Sequence, residues 1–242
     1  MRAAARTDPG RVRPANEDNV FADPEAGVLM VADGMGGHAA GEVASELAVR
    51  TISGILTGPE AAGPAGVEAP QILRQAIQRA NAAIRTRAAE DLASRGMGTT
   101  VALVLARDAR LWLAHVGDSR VYLIRAGEIH RLTQDHSLVA QMVKAGQITA
   151  GEARKHHLRN VITRSLGFEA AVEPEIQTME WIEGDYLLLC SDGLTGMLED
   201  EEIARVVTAG GADLPAVCRD LIALANERGG TDNISVVVAR NA

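Results

Sequence analysis

The side chains with the clearest chemical potential in this sequence are aspartates that stand next to short apolar runs. The run 28–32 is typical of a buried strand, and Asp33 follows it at the start of a glycine-rich stretch. Asp118, Asp192 and Asp232 stand next to apolar runs in the same way. Each aspartate alone is an ordinary turn residue. A fold that aligns the runs would cluster four carboxylates, which would repel one another unless a cation lay between them.

The donor atoms of such a cluster indicate which cation would bind. Carboxylate and carbonyl oxygens are hard ligands, so we expect Mg²⁺ or Mn²⁺. The sequence has no C-x-x-C or H-E-x-x-H spacing for zinc, and no calcium-binding loop of the D-x-[DN]-x-[DN]-G type. Two divalent ions side by side can clamp the attacking and leaving oxygens of a displacement at phosphorus and acidify a bound water.

Arg13 could supply the phosphate-binding group that this chemistry also needs. A guanidinium is a planar fork that binds two phosphoryl oxygens at once, which a lysine cannot do. An arginine in a loop is more often simply solvated. The closeness of Arg13 to Glu17 and Asp18 in a charged segment favours the functional interpretation.

Other phosphate chemistries lack their motifs here. Cysteine-dependent phosphatases need C-x5-R, but the residues six after Cys190 and Cys218 are Gly196 and Leu224. An aspartyl nucleophile would require D-x-D, whereas Asp33 is followed by glycine and methionine. A P-loop of the form G-x-x-x-x-G-K-[ST] is also missing from the sequence.

A dinucleotide-binding turn is the remaining alternative at the glycine-rich stretch. Residues 34–39 match G-x-G-x-x-[GA] and lie between a predicted strand and a predicted helix. However, Asp33 would place a negative charge beside the pyrophosphate. In addition, no strand ends in Asp or Glu about 20 residues further on, where the ribose ligand is expected.

Composition bounds the class of protein. The chain has 242 residues, of which 47% are hydrophobic, so it can bury a large core, and we expect one domain over 1–242. A net charge of −8 and the lack of a basic track argue against nucleic acid. The apolar runs are far shorter than the roughly 20 residues that cross a bilayer, and the N-terminus lacks a signal-peptide core. Cys190 and Cys218 lie in apolar patterns and are expected to be buried free thiols. We therefore expect a cytoplasmic protein without membrane or nucleic-acid partners.

The spacing of apolar positions predicts the elements that must position the aspartates. Helical spacing starts near Gly41 and again near Ile72, which predicts a helical hairpin. Two further amphipathic helices are expected over 200–209 and 213–227, and the segment 136–167 has a broken helical pattern.

Strand-like runs occupy much of the remaining chain. They lie at 19–22, 28–32, 99–106, 111–116, 121–124, 129–132, 176–181, 186–190 and 234–239. Short turns separate the four runs between 99 and 132, which predicts a β-meander. Helices in pairs around runs of strands favour an α+β layered fold, with sheets inside and helices outside.

The combined motifs resemble a known family. R-x-x-N-E-D, D-G-M-G-G-H, G-T-T, G-D-S-R, S-D-G and T-D-N occur in that order and resemble the metal-dependent protein phosphatases of type 2C (PPM), in their bacterial Ser/Thr form. Any one motif is common, but six in order are specific, and the match runs from about residue 10 to 239. The resemblance implies an αββα sandwich of two antiparallel β-sheets flanked by pairs of helices.

The resemblance also implies a role for each aspartate. Asp33 would bridge two Mn²⁺ or Mg²⁺ ions, with the Gly34 carbonyl on one of them. Asp192 and Asp232 would bind the other ion. Asp118 would hold a third, weaker ion, as in bacterial members.

Further residues acquire supporting roles by the same resemblance. Glu17 and Asp18 would hold metal-bound waters, with Asn233 supporting the ligands from behind. Asn160 would assist the third ion, and Arg13 would bind the substrate phosphate.

The implied reaction is hydrolysis of phosphoserine or phosphothreonine by a water between two metals, without a covalent intermediate. The implied partners are phosphorylated proteins, among them a bacterial Ser/Thr kinase and its substrates, and the expected state is a monomer. A segment at about 141–167 would be a flap beside the active site that influences substrate choice.

The histidines depart from the eukaryotic pattern of the family. Eukaryotic members carry a histidine two positions after the bridging aspartate as the presumed general acid, and this sequence has Met35 there. His38 could supply the proton or could equally brace the following helix. His115 is expected in the core. Surface or flap positions are expected for His130, His136, His156 and His157.

A second hypothesis comes from another functional class. The chain could be a catalytically silent domain that binds phosphoproteins on the same fold. The presence of Arg13, Asp33, Asp192 and Asp232 counts against it, because a silent relative would be free to lose these ligands.

Overall fold

A computed structural model describes residues 1–36, 40–58, 68–107 and 109–241 of the chain. Its strands are β1 (Arg2–Asp8), β2 (Asp18–Asp23), β3 (Val28–Met35), β4 (Gly98–Thr99), β5 (Val101–Arg107), β6 (Arg110–Val116), β7 (Arg120–Arg125), β8 (Glu128–Arg131), β9 (Glu175–Glu180), β10 (Tyr186–Cys190) and β11 (Ile234–Arg240). Its α-helices are α1 (Ala40–Thr57), α2 (Ala69–Glu90), α3 (Leu138–Lys144), α4 (Ala150–Lys155), α5 (Asp192–Thr195), α6 (Asp200–Gly210) and α7 (Leu214–Glu227). The helical hairpin and the two later amphipathic helices are confirmed.

The strands form two antiparallel sheets. The first sheet has the order β1-β11-β10-β7-β8, and the second has the order β2-β3-β5-β6-β9, with β4 paired to the end of β3. The chain passes from one sheet to the other between β1 and β2, between β6 and β7, between β8 and β9, and between β9 and β10.

Strand alternation explains how each sheet fills two apolar layers. In β3, Met30 packs toward the helices, while its neighbours Leu29 and Val31 pack between the sheets. In β11, Val236 and Val237 divide in the same way between the α6–α7 side and the inner layer. Both faces of these strands are covered, which is why they appear in the sequence as unbroken apolar runs.

The helices cover the outer faces of the two sheets in pairs. α1 and α2 bury their apolar stripes against the second sheet, and α6 and α7 bury theirs against the first. Asp213 caps α7, its side chain accepting a hydrogen bond from the Ala216 N–H at 3.1 Å. The result is an αββα sandwich, so the expected fold class is confirmed.

The β-meander expected between residues 99 and 132 is wrong at one turn. β5 pairs with β6 and β7 pairs with β8, but β6 and β7 lie in different sheets. The G-D-S-R turn crosses between the sheets, because β7 begins at Arg120 and pairs with β10. Asp118 therefore lies where the two sheets come together.

Helices α3 and α4 fall in the segment that shows a broken helical pattern. Thr149 and Glu152 form a reciprocal capping box at the start of α4. Across the described parts of the chain, no helix combines the length and apolar character needed to cross a bilayer.

Candidate metal centre

Asp18 and Asp33 are direct neighbours across the β2–β3 pair. Asp18 is only 6% exposed, and its Oδ2 accepts a hydrogen bond from Ser191 Oγ at 2.8 Å. Its Oδ1 is buried without a hydrogen-bond partner. A buried acceptor with no partner is costly, so this oxygen fits a site that receives a cation or a cation-bound water.

The G-T-T motif fixes the backbone of Asp33. The Asp33 carbonyl accepts hydrogen bonds from Thr99 Oγ1 and from the Thr100 N–H, both at 2.9 Å. The Asp33 N–H donates to Thr100 Oγ1 at 3.0 Å. Because both backbone polar groups are held, the carboxylate projects from a rigid strand end rather than from a mobile loop.

Gly34 has no room for a side chain. A Cβ at this position would lie 2.1 Å from the Gly41 carbonyl oxygen and 2.4 Å from the Glu17 carbonyl oxygen. The Gly34 N–H donates to that Glu17 carbonyl at 3.2 Å. Three backbone segments therefore meet around the carbonyl that the family resemblance assigns to a metal ion.

Asp192 and Asp232 are brought together by two packed turns. Asp192 is the first residue of α5, and Asp232 lies just before β11. A Cβ on Gly193 would lie 2.0 Å from the Asn233 carbonyl oxygen, so the two turns are in close backbone contact. The S-D-G motif thus supplies a glycine, Gly193, where its turn packs on the turn of the T-D-N motif.

Asn233 holds the N-terminal loop against this pair. Its amide nitrogen donates to the carbonyls of Pro9 and Ala15, both at 2.9 Å, and its side-chain oxygen accepts the Glu17 N–H at 2.9 Å. The amide is 6% exposed and fully engaged. Asn233 therefore positions the loop that carries Arg13.

Asp118 reaches the same region from the turn between the sheets. The side chain is 7% exposed. Its neighbour Ser119 is hydrogen-bonded through Oγ to Thr100 Oγ1 at 2.7 Å, and Thr100 also binds the Asp33 backbone. Thr100 therefore connects the turn of Asp118 directly to the strand end that carries Asp33.

The carboxylates lie close enough to perturb one another electrostatically. Burial is the main cause that raises the pKa of Asp33 well above its ordinary value. The charges that raise it further belong to Asp18, Asp192, Asp118 and Asp232. A divalent cation bound here would displace the proton that the raised pKa favours on Asp33, and an all-oxygen donor set fits Mn²⁺ or Mg²⁺.

Arg13 lies at the exposed edge of the cluster. Its Nη2 donates to Asp232 Oδ2 at 2.7 Å, and the Arg13 side chain remains 48% exposed. This bond is the main cause that raises the pKa of Arg13. The guanidinium therefore stands next to the predicted ions with part of its fork open to solvent.

A cavity of about 530 Å³ extends from the aspartates beneath helices α3 and α4. Asp118, Asp192 and Asn160 all line it, as do flap residues such as Val143. Asn160 is exposed, in the loop after α4. The third-ion residues expected from the resemblance thus share one cavity.

Comparisons with known proteins agree with this geometry. The family model described as Protein phosphatase 2C matches residues 13–233. The chain belongs to the protein phosphatase 2C family.

Relatives within the family cover nearly the whole chain. The Listeria monocytogenes "Serine/threonine phosphatase stp" is 39% identical over 241 residues, which is 98% of this chain and 95% of that protein. The Mycobacterium tuberculosis phosphatase PstP/Ppp crystal structure is 41% identical, with a TM-score of 0.90, covering 99% of this chain and 97% of that one. A catalytic domain of PstP in complex with two manganese ions is 40% identical, with a TM-score of 0.87 and the same coverage. The resemblance seen in the motifs is confirmed.

The described aspartates of this 2C phosphatase do not converge on a single point. Among the described residues, three ligand atoms within 4.8 Å of one another occur only at His115, His136 and Glu175, outside the aspartate cluster. Ligands to two ions, whose separation is typically about 3.5–4 Å, need not converge that closely.

The histidines give a mixed outcome. His38 lies outside the described residues, so its role stays a prediction. His115 is fully buried, as expected, and His130 and His157 are exposed. The surface or flap position expected for His136 is wrong, because its ring is 7% exposed between strands that are distant in sequence. No local pattern could have revealed those long-range contacts.

Proposed function

We propose that residues 1–242 act as one Mn²⁺- or Mg²⁺-dependent domain that hydrolyses phosphoserine and phosphothreonine in proteins. The observation that carries this proposal is the convergence of five buried or half-buried aspartates, from both sheets, next to a half-exposed arginine. We also propose that the protein works as a monomer in the cytoplasm and opposes a Ser/Thr kinase. The two buried free cysteines are consistent with a reducing compartment.

The proposed ligands are those that the family resemblance implies, and the clustering of the aspartates supports them. Asp33 and the Gly34 carbonyl would hold one ion, and Asp33 would share the second with Asp192 and Asp232. When bound, the two ions would lower the pKa of a water and would place positive charge beside the phosphoryl oxygens. Asp18, with its orphaned Oδ1, would orient a water at the edge of the pair.

Arg13 would bind the phosphate monoester. The loop that carries it is fixed by Asn233, so the guanidinium has a defined direction. Its second nitrogen and its open face are available to phosphoryl oxygens while one nitrogen stays on Asp232. Charge spread over three phosphoryl oxygens in a loose transition state is stabilised by such a fork.

Among the described residues, neither the two cysteine thiols nor the Ser191 hydroxyl is suited to act as a nucleophile. Burial raises the pKa of Cys190 strongly and that of Cys218 to about 11, so neither thiol is ionised near neutral pH. The Ser191 hydroxyl is 1% exposed and donates to Asp18. These observations support the proposed direct attack by a water held among the aspartates.

Phosphate release from a phosphothreonine peptide tests the proposal against the silent-domain alternative. We expect release with Mn²⁺, none with EDTA, and none for Asp192→Asn. Asp220→Asn is the matched control, because Asp220 is an exposed carboxylate on α7, remote from the cluster. Turnover that persists in EDTA, or no turnover in the Mn²⁺-loaded protein, would refute the proposed metal-dependent phosphatase activity.

A further inference from the structure

His136 forms hydrogen bonds with both backbone polar groups of Gly117. The Gly117 N–H donates to His136 Nδ1 at 3.1 Å, and the His136 N–H donates to the Gly117 carbonyl at 2.9 Å. Gly117 has a φ of +108°, and a Cβ there would lie 2.6 Å from the Thr100 side chain. Any residue other than glycine at position 117 would therefore strain the turn that precedes Asp118. The imidazole of His136 holds this turn through a hydrogen bond.

The hydrogen bonds assign the ring protons of His136. Because Nδ1 accepts from Gly117, the neutral ring carries its proton on Nε2, which lies 2.9 Å from Glu175 Oε1. Arg164 Nη1 lies 3.1 Å from the same Nε2 and 3.5 Å from Glu175 Oε1, so its charge faces the carboxylate. The Glu175 carboxylate thus orients the His136 ring so that the Nδ1 lone pair points toward the Gly117 N–H.

The backbone of His136 also anchors the flap. Its carbonyl accepts the Thr163 N–H at 2.7 Å, and the next residue, Ser137, forms an isolated bridge with Ile162. Arg164 follows directly and donates to the Glu173 carbonyl. One residue therefore connects the Asp118 turn with the end of the flap.

We propose that His136 is a positioning residue that fixes the Gly117–Asp118 turn, and thereby sets the affinity of the proposed third divalent-ion site. This inference rests on the proposed function for the existence and the identity of that ion site. The geometric part stands on its own, since His136 binds both backbone polar groups of the residue that precedes Asp118.

The same cluster could be mistaken for a metal site. His115, His136 and Glu175 offer ligand atoms within 4.8 Å of one another. However, the two imidazoles are stacked, with centroids 4.7 Å apart and planes 19° apart, which points their lone pairs poorly at a shared ion. The guanidinium of Arg164 already provides the positive charge at His136 Nε2.

The test uses two substitutions of similar shape, of which only one keeps a hydrogen-bond acceptor. His136→Asn keeps an acceptor at the position of Nδ1, whereas His136→Leu removes it. Hydrogen exchange of the Gly117 amide in the metal-free protein should be about tenfold faster or more in His136→Leu and close to wild type in His136→Asn. This readout needs no activity, so it remains informative if the proposed phosphatase function fails.

Mn²⁺ titration supplies the second readout. In His136→Leu the weakest site should lose about 10- to 100-fold in affinity, as outer-sphere substitutions typically do, while the two tight sites stay within about threefold. His136→Asn should restore the weak site. If His136→Leu does not fold, Glu175→Ala should show a smaller shift of the same kind.

Three outcomes would overturn the proposal. Unchanged exchange of the Gly117 amide in folded His136→Leu would show that the ring does not hold the turn. Equal weakening of all Mn²⁺ sites would indicate general destabilisation. Stoichiometric Zn²⁺ binding by the wild type that is lost in Glu175→Ala would make the cluster a metal site instead.

Discussion

Arg13 donates a 2.7 Å hydrogen bond to Asp232, so the proposed phosphate-binding group and a proposed metal ligand are in direct contact. The contact ties two loops that are 219 residues apart in sequence. It also means that the positive charge of Arg13 lies where both a phosphate and a divalent ion would bind. Phosphate binding and metal binding can be separated experimentally. Loss of the Arg13 charge should weaken phosphate binding but should not weaken the binding of a divalent cation.

Arg13→Ala is expected to lower kcat/KM for a phosphothreonine peptide by about 10- to 100-fold, the loss of one charge-assisted hydrogen bond to phosphate. Mn²⁺ should bind at least as tightly as in the wild type, because a neighbouring cation has been removed. Arg11→Ala, an exposed arginine in the same loop, is the control and should change neither quantity much. Weaker Mn²⁺ binding by Arg13→Ala would contradict the assignment.

The raised carboxyl pKa values predict how the metal-free protein responds to pH. Burial, assisted by neighbouring charges, raises the pKa of Asp18 to about 7 and that of Asp118 to about 8, from an ordinary value of 3.8. In this range the folded state binds more protons than the unfolded state, so the free energy of unfolding falls as pH rises. Burial lowers the pKa of His115 and His136. These histidines therefore change the free energy of unfolding mainly below about pH 6.5.

We therefore expect the Tm of EDTA-treated protein to fall between pH 6.5 and 8, by about 2–4 °C for each 1 kcal/mol of lost stability. Mn²⁺ should reverse the fall and raise Tm more at pH 8 than at pH 6.5, because the ligands must lose protons to bind. Asp118→Asn should flatten the metal-free dependence. Differential scanning calorimetry measures all three, and a Tm that rises with pH in EDTA would disprove the coupling.

The strands were the most predictable part of this fold. The apolar runs of β3 and β11 are local signals, because strands covered on both faces are apolar along their length. The aspartate cluster was also predictable, since the same local plan recurs four times and needs a common explanation. The crossing of the chain between β6 and β7 was not, because a short turn shows its length in the sequence but not which sheet receives the next strand.

His136 shows the same limit at the scale of a side chain. Its ring contacts Gly117, which is 19 residues away, and Glu175, which is 39 residues away. The imidazole is buried by strands that only the tertiary fold brings together. Sequence patterns report periodicity and turn chemistry, and neither predicts which polar side chain will be enclosed between two sheets.

Asp192→Asn and Asp118→Asn should affect different ions. Asp192 lies in the turn that packs against Asn233 beside Asp232, so Asp192→Asn is expected to lose a tight Mn²⁺ site and all measurable turnover. Asp118→Asn should keep two tight sites and turn over more slowly. Calorimetric Mn²⁺ titration of each variant beside the rate assay distinguishes them. Equal loss of tight sites in both would contradict the division.

Gly34→Ala should destabilise the protein through backbone contact alone. The added Cβ would lie 2.1 Å from the Gly41 carbonyl oxygen, and neither backbone segment can move away as a flexible side chain could. We expect a loss of about 1–3 kcal/mol of unfolding free energy, measured by urea denaturation. Gly54→Ala is the matched control, because nothing lies within 4 Å of its Cβ position in α1, and it should stabilise by about 0.5–1 kcal/mol.

Thr100→Val tests whether the hydroxyl that joins Asp33 to the Asp118 turn affects the metals as well as the fold. Thr100 Oγ1 binds the Asp33 N–H and Ser119 Oγ, and valine keeps the shape but neither bond. Thr133→Val is the control, since Thr133 is also buried and its hydroxyl accepts the Val121 N–H at 3.1 Å, away from the aspartates.

Both variants should lose about 1–3 kcal/mol of stability, because each leaves a buried N–H unpaired. Only Thr100→Val should also weaken Mn²⁺ binding, by about tenfold or more, since a hydrogen bond behind a ligand typically tunes affinity by that amount. Parallel urea melts and Mn²⁺ titrations make the comparison. If the two variants lose stability and Mn²⁺ affinity in the same proportion, the metal effect is global, and Thr100 does not transmit the position of one aspartate to the other.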